Sequence, residues 1–195
     1  MNTPSHMLIG AAVFGRSAAP AVTLAALAGG LAPDIPMFAM VAWSTRVLGL
    51  AETEVFGRLY FSAGWQAVFS VDHGFFIWGS LLGLAVWGGF AILRTFAASG
   101  LLHGLADFLT HHDDARRQFW PLSDWVFRSP VSYWDSRYHG TVFSMFEFGL
   151  VVALTLWLLW RLDGWRNRVM VLIVASAMVV PVLLTGSLHS LHGMG

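Results

Sequence analysis

Long apolar stretches alternate with short polar segments along most of this chain. Four of the stretches are uncharged or carry a single acidic residue, and each is close to or above the length of about 20 apolar residues that a membrane-spanning helix needs. They cover Ala18–Thr45, Phe75–Leu93, Val142–Trp160 and Val169–Leu188. The pattern therefore predicts four transmembrane helices.

Two weaker patterns predict additional helices. Thr95–Thr110 is apolar but shorter and contains His103 and Asp107, which indicates a fifth span or a buried, partly inserted helix shielded by the others. Thr3 followed by Pro4 fits the N-cap and first residue of a short helix that packs into the bundle. No basic residue precedes Arg16, so a signal peptide is not expected. We expect one all-α integral membrane domain over residues 1–195.

Composition narrows the class further. The chain is 56% hydrophobic and 11% charged, whereas a soluble domain carries roughly 25% charged residues. Its 11 basic residues are all Arg and balance 11 acidic residues, so no positive field exists to hold nucleic acid. These values exclude a soluble domain, a disordered chain and a nucleic-acid-binding protein. The absence of Cys excludes disulfides and thiolate chemistry.

The arginines suggest an orientation. Arg161, Arg166 and Arg168 crowd the short turn between the last two predicted spans, which marks that turn as cytoplasmic. Counting spans backwards places Arg16 and Arg94 on the same side. Most of the acidic and histidine residues then fall towards the opposite face. The prediction is that polar chemistry is concentrated in one layer of the molecule.

The sharpest pattern is His103-x-x-x-Asp107-x-x-x-His111, because positions four apart share one face of a helix. Imidazole and carboxylate groups one turn apart can reach a single divalent cation, as in the helices of zinc sites. The alternative is a hydrogen-bonded His–Asp pair that holds two helices together.

Asp34 lies between Pro33 and Pro36 inside an apolar stretch, where an unpartnered carboxylate is costly. We interpret it as a metal ligand or general base, with capping of the helix after Pro33 as the alternative. His6 and His73 are predicted at the same depth. A set of His and Asp ligands without thiols is typical of catalytic zinc sites.

The segment 111–140 combines charged and aromatic residues. Its Trp residues fit a lid over the site or an anchor in the lipid head-group layer. Arg128 and Arg137 are candidates for binding a substrate phosphate. Glu147 is expected to pair with an arginine of this segment, and His189 and His192 lie near enough to the predicted layer to reach the site.

Several of these motifs resemble a family of bacterial inner-membrane proteins described as metal-dependent hydrolases (YdjM-like). The matching elements are Ser5-His6, Leu31-Ala32-Pro33-Asp34-Ile35, His73-Gly74, His103-x-x-x-Asp107 with Thr110, and Trp120-Pro121-Leu122-Ser123. Pro36 stands where the family carries a second Asp. The order of the histidines and acids is also similar, more distantly, to that of zinc-dependent phospholipase C. The resemblance implies a bacterial inner-membrane location, with the site towards the periplasmic face.

Together these observations lead to one expected mechanism. A zinc-like divalent metal, as one or two ions, would activate water to attack an ester or phosphoester of a lipid-like substrate. The expected ligands are His6, Asp34, His73, His103 and Asp107. Asp34 or Asp72 is the expected general base, and His111 or His112 the proton donor.

Two other classes of function fit the same residues. The chain could be a non-catalytic metal- or haem-binding accessory subunit, with another membrane protein as its partner. Alternatively, the intramembrane His and Asp residues could form a proton or cation pathway.

Overall fold

The computed structural model describes residues 1–185, and within them every regular element is helical. His189 and His192 lie outside the described residues. The α-helices, in chain order, are α1 (Thr3–Phe14), α2 (Pro20–Leu31), α3 (Ile35–Ala42), α4 (Glu52–Glu54), α5 (Ala63–Asp72), α6 (Phe75–Trp87), α7 (Ala91–Thr110), α8 (Gly140–Arg161) and α9 (Trp165–Thr185). Short 3-10 or π turns connect several of them.

Four helical segments are long and apolar enough to cross a membrane. They are Pro20–Val47, Ala63–Trp87, Gly140–Arg161 and Trp165–Leu184. The predicted all-α bundle with four spans is therefore confirmed. Large apolar side chains cover its outside, among them Trp87, Leu156 and Leu184, which are 88%, 65% and 82% exposed. A lipid environment removes the cost of exposing such side chains to water.

The second span begins and ends earlier than its uncharged stretch predicted. Ser62 caps α5 by accepting a hydrogen bond from the Trp65 amide, and the chain then continues through a bend at His73–Gly74 into α6. The span ends at Trp87 because Gly88 and Gly89 form a turn in which Gly89 has a φ of +70°. Gln66, Ser70 and Asp72 interrupt the apolar pattern of α5, so the sequence did not predict α5 as part of this span.

Helix α7 is the central helix of the bundle rather than one of the four apolar segments. It has 20 residues, enough to extend about 30 Å, and packs against α1, α2 and α6. Small residues face these neighbours, with Ala97, Ser99 and Gly100 all buried. The surrounding helices shield its polar side chains.

A separate apolar core joins α1 to α8 and α9. Leu8 and Ala11 of α1 pack there with Val151, Leu158 and Met178. All five side chains are at most 1% exposed. This core fixes the N-terminal helix against the last two helices.

Three of the arginines predicted to share one side, Arg16, Arg94 and Arg161, lie together at one end of the bundle. They line one shallow cavity. Arg161 also donates to the carbonyl oxygen of Ala12 at 2.5 Å and to that of Gly15 at 3.2 Å, which caps the C-terminal end of α1. The other ends of α1 and α7 carry His6 and Asp107. These three arginines and the ionisable cluster therefore occupy opposite ends of the bundle.

Candidate metal centre

Helix α7 contributes one polar face to the cluster. His103 and Asp107 are one turn apart, and His103 Nε2 lies 3.2 Å from Asp107 Oδ2. His111 follows at the end of the helix, with its Nε2 3.0 Å from Asp107 Oδ1. The predicted common face is confirmed, with Asp107 at its centre.

Asp34 reaches the same point from the end of α2. Residues Ala32–Asp34 form a 3-10 turn between α2 and α3, so the two prolines alter the helix without reversing the chain. The Asp34 carboxylate makes no capping hydrogen bond to α3. It accepts one from the Thr3 hydroxyl at 2.5 Å and lies 3.7 Å from His103 Nε2. The capping alternative is therefore not what the structure shows.

His73 enters at the bend between α5 and α6. The Trp78 indole N–H donates to the Asp72 carbonyl at 2.6 Å and holds the bend. The Gly74 backbone passes so close to Ser70 that a Cβ on Gly74 would lie 2.7 Å from the Ser70 carbonyl oxygen. His73 is fully buried, and its Nε2 lies 3.4 Å from Asp107 Oδ2 and 3.6 Å from Asp34 Oδ1.

These four residues form a compact group of metal-ligand type. Asp34, His73, His103 and Asp107 are all buried, and one possible ligand atom from each lies within 4.8 Å of all the others. Zinc–ligand bonds of about 2.0–2.2 Å bring the ligands of one ion to separations of this order. Two imidazoles and two carboxylates suit zinc and other divalent transition metals.

Two buried ring nitrogens that make no hydrogen bond fit the binding of a cation by this group. His6 Nε2 lies 2.9 Å from Asp107 Oδ1, and His103 Nε2 is similarly close to the other oxygen. Neither nitrogen has a hydrogen-bond partner. Buried polar atoms in proteins are nearly always satisfied, so an ion that accepts these lone pairs fits the residues present.

Two of the imidazoles are oriented by acceptors behind them. His73 Nδ1 donates to Asp72 Oδ1 at 2.5 Å, and His103 Nδ1 donates to the Gly30 carbonyl at 2.7 Å. Each contact places the ring proton on Nδ1 and leaves the Nε2 lone pair facing the group. Metal-ligating histidines are commonly held in this way.

The second side of Asp107 faces another set of groups. Besides His6 and His111, the Met1 amino group lies 3.0 Å from Asp107 Oδ1. Asp114 approaches His111 from behind, with Oδ2 2.8 Å from Nδ1. Burial alone lowers the pKa of His111, but the carboxylates of Asp107 and Asp114 outweigh it and raise that pKa above its usual value. The raised pKa of His111 reflects the negative charge of the two carboxylates beside its ring.

A cavity of about 610 Å³ opens beside the group, within the range of about 300–1,000 Å³ that is usual for small-molecule sites. Asp34, Asp107, His111 and Arg116 lie at its polar end. The rest of the wall is largely apolar, formed by residues that include Met37, Phe38, Phe56, Phe61 and Met178. The cavity fits a molecule with one polar group and an apolar chain.

Other candidates from the sequence lie elsewhere or have different partners. His112 donates from Nδ1 to the Ser129 carbonyl at 2.6 Å and stacks on Tyr138, so the structure does not bring it to the group. Arg137 binds Asp135 and Asp113, and its hydrogen bonds hold the pKa of Asp135 below the usual value. Arg137 is thus engaged away from the cavity.

Glu147 has a different partner from the expected arginine. It is fully buried and accepts hydrogen bonds from the Asn2 amide at 2.7 Å and the Asn2 side chain at 2.8 Å. These contacts hold the segment before α1 beside α8. The carboxylate therefore positions the segment that leads to His6.

Sequence reasoning missed two cavity residues, Arg116 and Tyr60. Arg116 is 4% exposed and Tyr60 is 7% exposed, and burial raises the pKa of the Tyr60 hydroxyl to about 12. Tyr60 is therefore a neutral hydrogen-bonding group near neutral pH. The one feature of the sequence that could have indicated a role for Arg116 is its closeness to His111 and Asp114 along the chain.

Comparison of the chain with protein-family models, curated proteins and solved structures finds no match. The geometry of the group and its cavity therefore carries the functional argument.

Proposed function

We propose that this protein is a membrane-embedded, metal-dependent hydrolase that acts on an ester or phosphoester of a lipid-like substrate. The observation that carries the proposal is the buried group Asp34, His73, His103 and Asp107, two of whose members, Asp34 and Asp107, line a largely apolar cavity. A scaffold that needed only helix contacts would give the buried His103 Nε2 a hydrogen bond, but this nitrogen makes none, although it lies 3.2 Å from Asp107 Oδ2.

The four residues would hold one divalent ion, which we propose to be zinc. When bound, such an ion acts as a Lewis acid that polarises an ester or phosphoryl oxygen and activates water for attack. His6 would supply a further ligand nitrogen, since its Nε2 lies 2.9 Å from Asp107 Oδ1. Asp72 would serve as a positioning residue, because its Oδ1 is engaged by the His73 ring.

His111 is the residue best placed to transfer a proton. It lines the cavity, and the Asp114 carboxylate lies behind its Nδ1. An imidazole backed by a carboxylate can donate a proton from Nε2 to the oxygen of a leaving group. His112 has no such access, since both of its ring nitrogens face residues outside the cavity.

The apolar core supports a binding site rather than a path through the membrane. Leu8 and Ala11 lie on α1 beyond His6, towards the arginine-lined end, and both are fully buried. Ala26 and Ala97 are likewise fully buried in α2 and α7. A proton or cation pathway would need free polar groups or water along this stretch, whereas its buried hydroxyls, those of Thr23 and Ser99, donate to the backbone carbonyls of Arg16 and Ala26.

Elemental analysis of the detergent-purified protein tests the metal. We expect about one zinc ion per wild-type chain and loss of that zinc in His103→Ala and Asp107→Ala. The matched controls are His112→Ala and Asp124→Ala, a histidine outside the group and an acid with an 80% exposed side chain. Zinc content that does not differ between the two pairs would disprove the metal centre.

Hydrolysis is tested separately with p-nitrophenyl esters and phosphoesters of alkyl chains. We expect turnover by the zinc-loaded protein that His111→Ala lowers by about 10²–10⁴-fold, the usual contribution of a general acid or base. A protein that binds zinc stoichiometrically but hydrolyses neither class would contradict the hydrolase and favour a non-catalytic metal-binding subunit. Proton flux in liposomes that Asp34→Asn abolishes would favour a pathway instead.

A further inference from the structure

Arg116 is a buried guanidinium with no dedicated carboxylate partner. Among the residues that the structure describes, it is the one arginine in the buried class. Its nearest carboxylate oxygen is Asp107 Oδ2, 3.8 Å from Nη1. Asp107 also contacts four histidines, so Arg116 has no carboxylate to itself and can take an anionic ligand as a further partner.

The contacts of Arg116 leave hydrogen-bonding capacity at the cavity. Nη2 donates to the Tyr60 hydroxyl at 3.1 Å, and Nη1 donates to His73 Nε2. Nε is buried and has no partner. The guanidinium also lies over the Phe69 ring, 4.9 Å from its centroid, which fixes its plane. Arg116 is thus held in place while part of its donor edge remains available.

Metal binding changes what Arg116 can contact. His73 Nδ1 is already engaged with Asp72, so Nε2 offers a single lone pair, which either Nη1 or a metal ion can use. When an ion takes that lone pair, the Nη1–H group loses its acceptor beside the ion. The metal-loaded site would therefore present a cation and a free guanidinium edge side by side.

We propose that Arg116 binds the phosphate group of the substrate, together with the metal. This inference rests on the proposed function and narrows its substrate class to alkyl phosphates and phospholipid-type molecules. Guanidinium binds phosphate through paired N–H···O bonds, and phosphate has enough oxygens to contact a metal ion at the same time. Phe56 and Phe61, which line the cavity and contact the Tyr60 ring, would contact the alkyl chain.

The test measures binding of dodecyl phosphate to zinc-loaded protein in dodecyl maltoside micelles, by phosphorus NMR titration. We expect Arg116→Gln to weaken binding by about 10- to 100-fold, the loss of a charge-assisted hydrogen bond, with zinc content unchanged. Arg117→Gln is the matched control, since Arg117 is paired with exposed Asp124. It should bind dodecyl phosphate as the wild type does.

Arg116→Lys covers the case in which Arg116→Gln fails to fold or loses zinc. It keeps the charge but not the planar fork, and we expect at least about 5-fold weaker binding than in the wild type. Wild-type affinity in the folded, zinc-loaded Lys variant would overturn the proposal. So would equal affinity of the wild type for dodecyl phosphate and laurate, the latter measured by its competition with dodecyl phosphate in the same titration, because a carboxylate would then serve as well.

The two proposals fail in different ways. A purified protein without stoichiometric zinc refutes the metal centre on which both depend. A zinc-loaded protein that hydrolyses alkyl esters but binds dodecyl phosphate no better than laurate supports the hydrolase and refutes the role of Arg116.

Discussion

The orientation of each imidazole decides whether the four central residues can share an ion. His73 and His103 are both turned by an acceptor behind Nδ1, in one case the Asp72 carboxylate and in the other the Gly30 carbonyl. The backbone acceptor cannot be removed by changing a side chain, but the carboxylate can. Asp72 is therefore the place to test how much orientation contributes to metal affinity.

We predict that Asp72→Asn lowers zinc affinity by about 10- to 100-fold, the usual cost of losing an outer partner of a ligating histidine. The Asn amide is neutral, so its oxygen is a weaker acceptor for the His73 Nδ1–H group than the Asp72 carboxylate. In the other orientation of the amide, its N–H₂ group would face that ring proton. Competition with a calibrated zinc chelator measures the change. Asp124→Asn is the control, and an affinity within about twofold of wild type in Asp72→Asn would contradict the role.

At the scale of elements, the site depends on the close approach of α2 to α7 and α1. A Cβ on Gly29 would lie 2.2 Å from the Phe96 carbonyl oxygen of α7, and one on Gly30 would lie 2.8 Å from the His6 carbonyl oxygen of α1. Only glycine allows these backbone contacts. The three helices bring together His6, His103 and the turn that carries Asp34.

Gly29→Ala should therefore destabilise the protein and weaken zinc binding together. Because backbone atoms of α7 must move, we expect a cost of about 1–3 kcal/mol, as for other overpacked interiors, and a Tm lower by several degrees. Gly79→Ala is the matched control, since a Cβ there meets nothing within 4 Å and Ala favours helix. Thermal unfolding in detergent measures the Tm of both variants, and competition with the zinc chelator measures their zinc affinity. Equal Tm values would contradict the tight contact.

The sequence predicted the cluster through patterns that are local to one helix or one turn. The four-residue spacing of His103, Asp107 and His111 requires only a helix, and Asp34 between two prolines is conspicuous in an apolar stretch. Arg116, Tyr60 and the Gly30 carbonyl could not be predicted in this way. Their roles arise from contacts between segments far apart in the chain, and segment 111–139 has little regular periodicity to place its side chains.

On the scale of the whole molecule, the buried histidines and carboxylates of the cluster lie at the end of the bundle opposite a group of three arginines. Arg16, Arg94 and Arg161 collect at one end, while the ionisable cluster and segment 111–139 lie at the other. Trp160 and Trp165 are 79% and 71% exposed near the arginines, as expected for side chains in a head-group layer. We propose that the arginine-lined end is cytoplasmic and that the cavity end faces the opposite side.

The absence of cysteine makes this orientation directly testable. Leu122→Cys places a thiol at the cavity end, where Leu122 is 74% exposed, and Asp163→Cys places one at an exposed position in the turn between α8 and α9. In bacterial cells whose outer membrane has been removed and whose inner membrane is intact, a membrane-impermeant maleimide should label the thiol of Leu122→Cys and not that of Asp163→Cys.

Permeabilisation should then allow Asp163→Cys to react, which shows that its thiol is accessible and was protected by the membrane. The reverse pattern would mean that the density of arginine in the last turn does not set the orientation. Labelling of both thiols in intact cells would contradict the membrane-spanning arrangement itself, because the two positions lie at opposite ends of helices long enough to cross a bilayer.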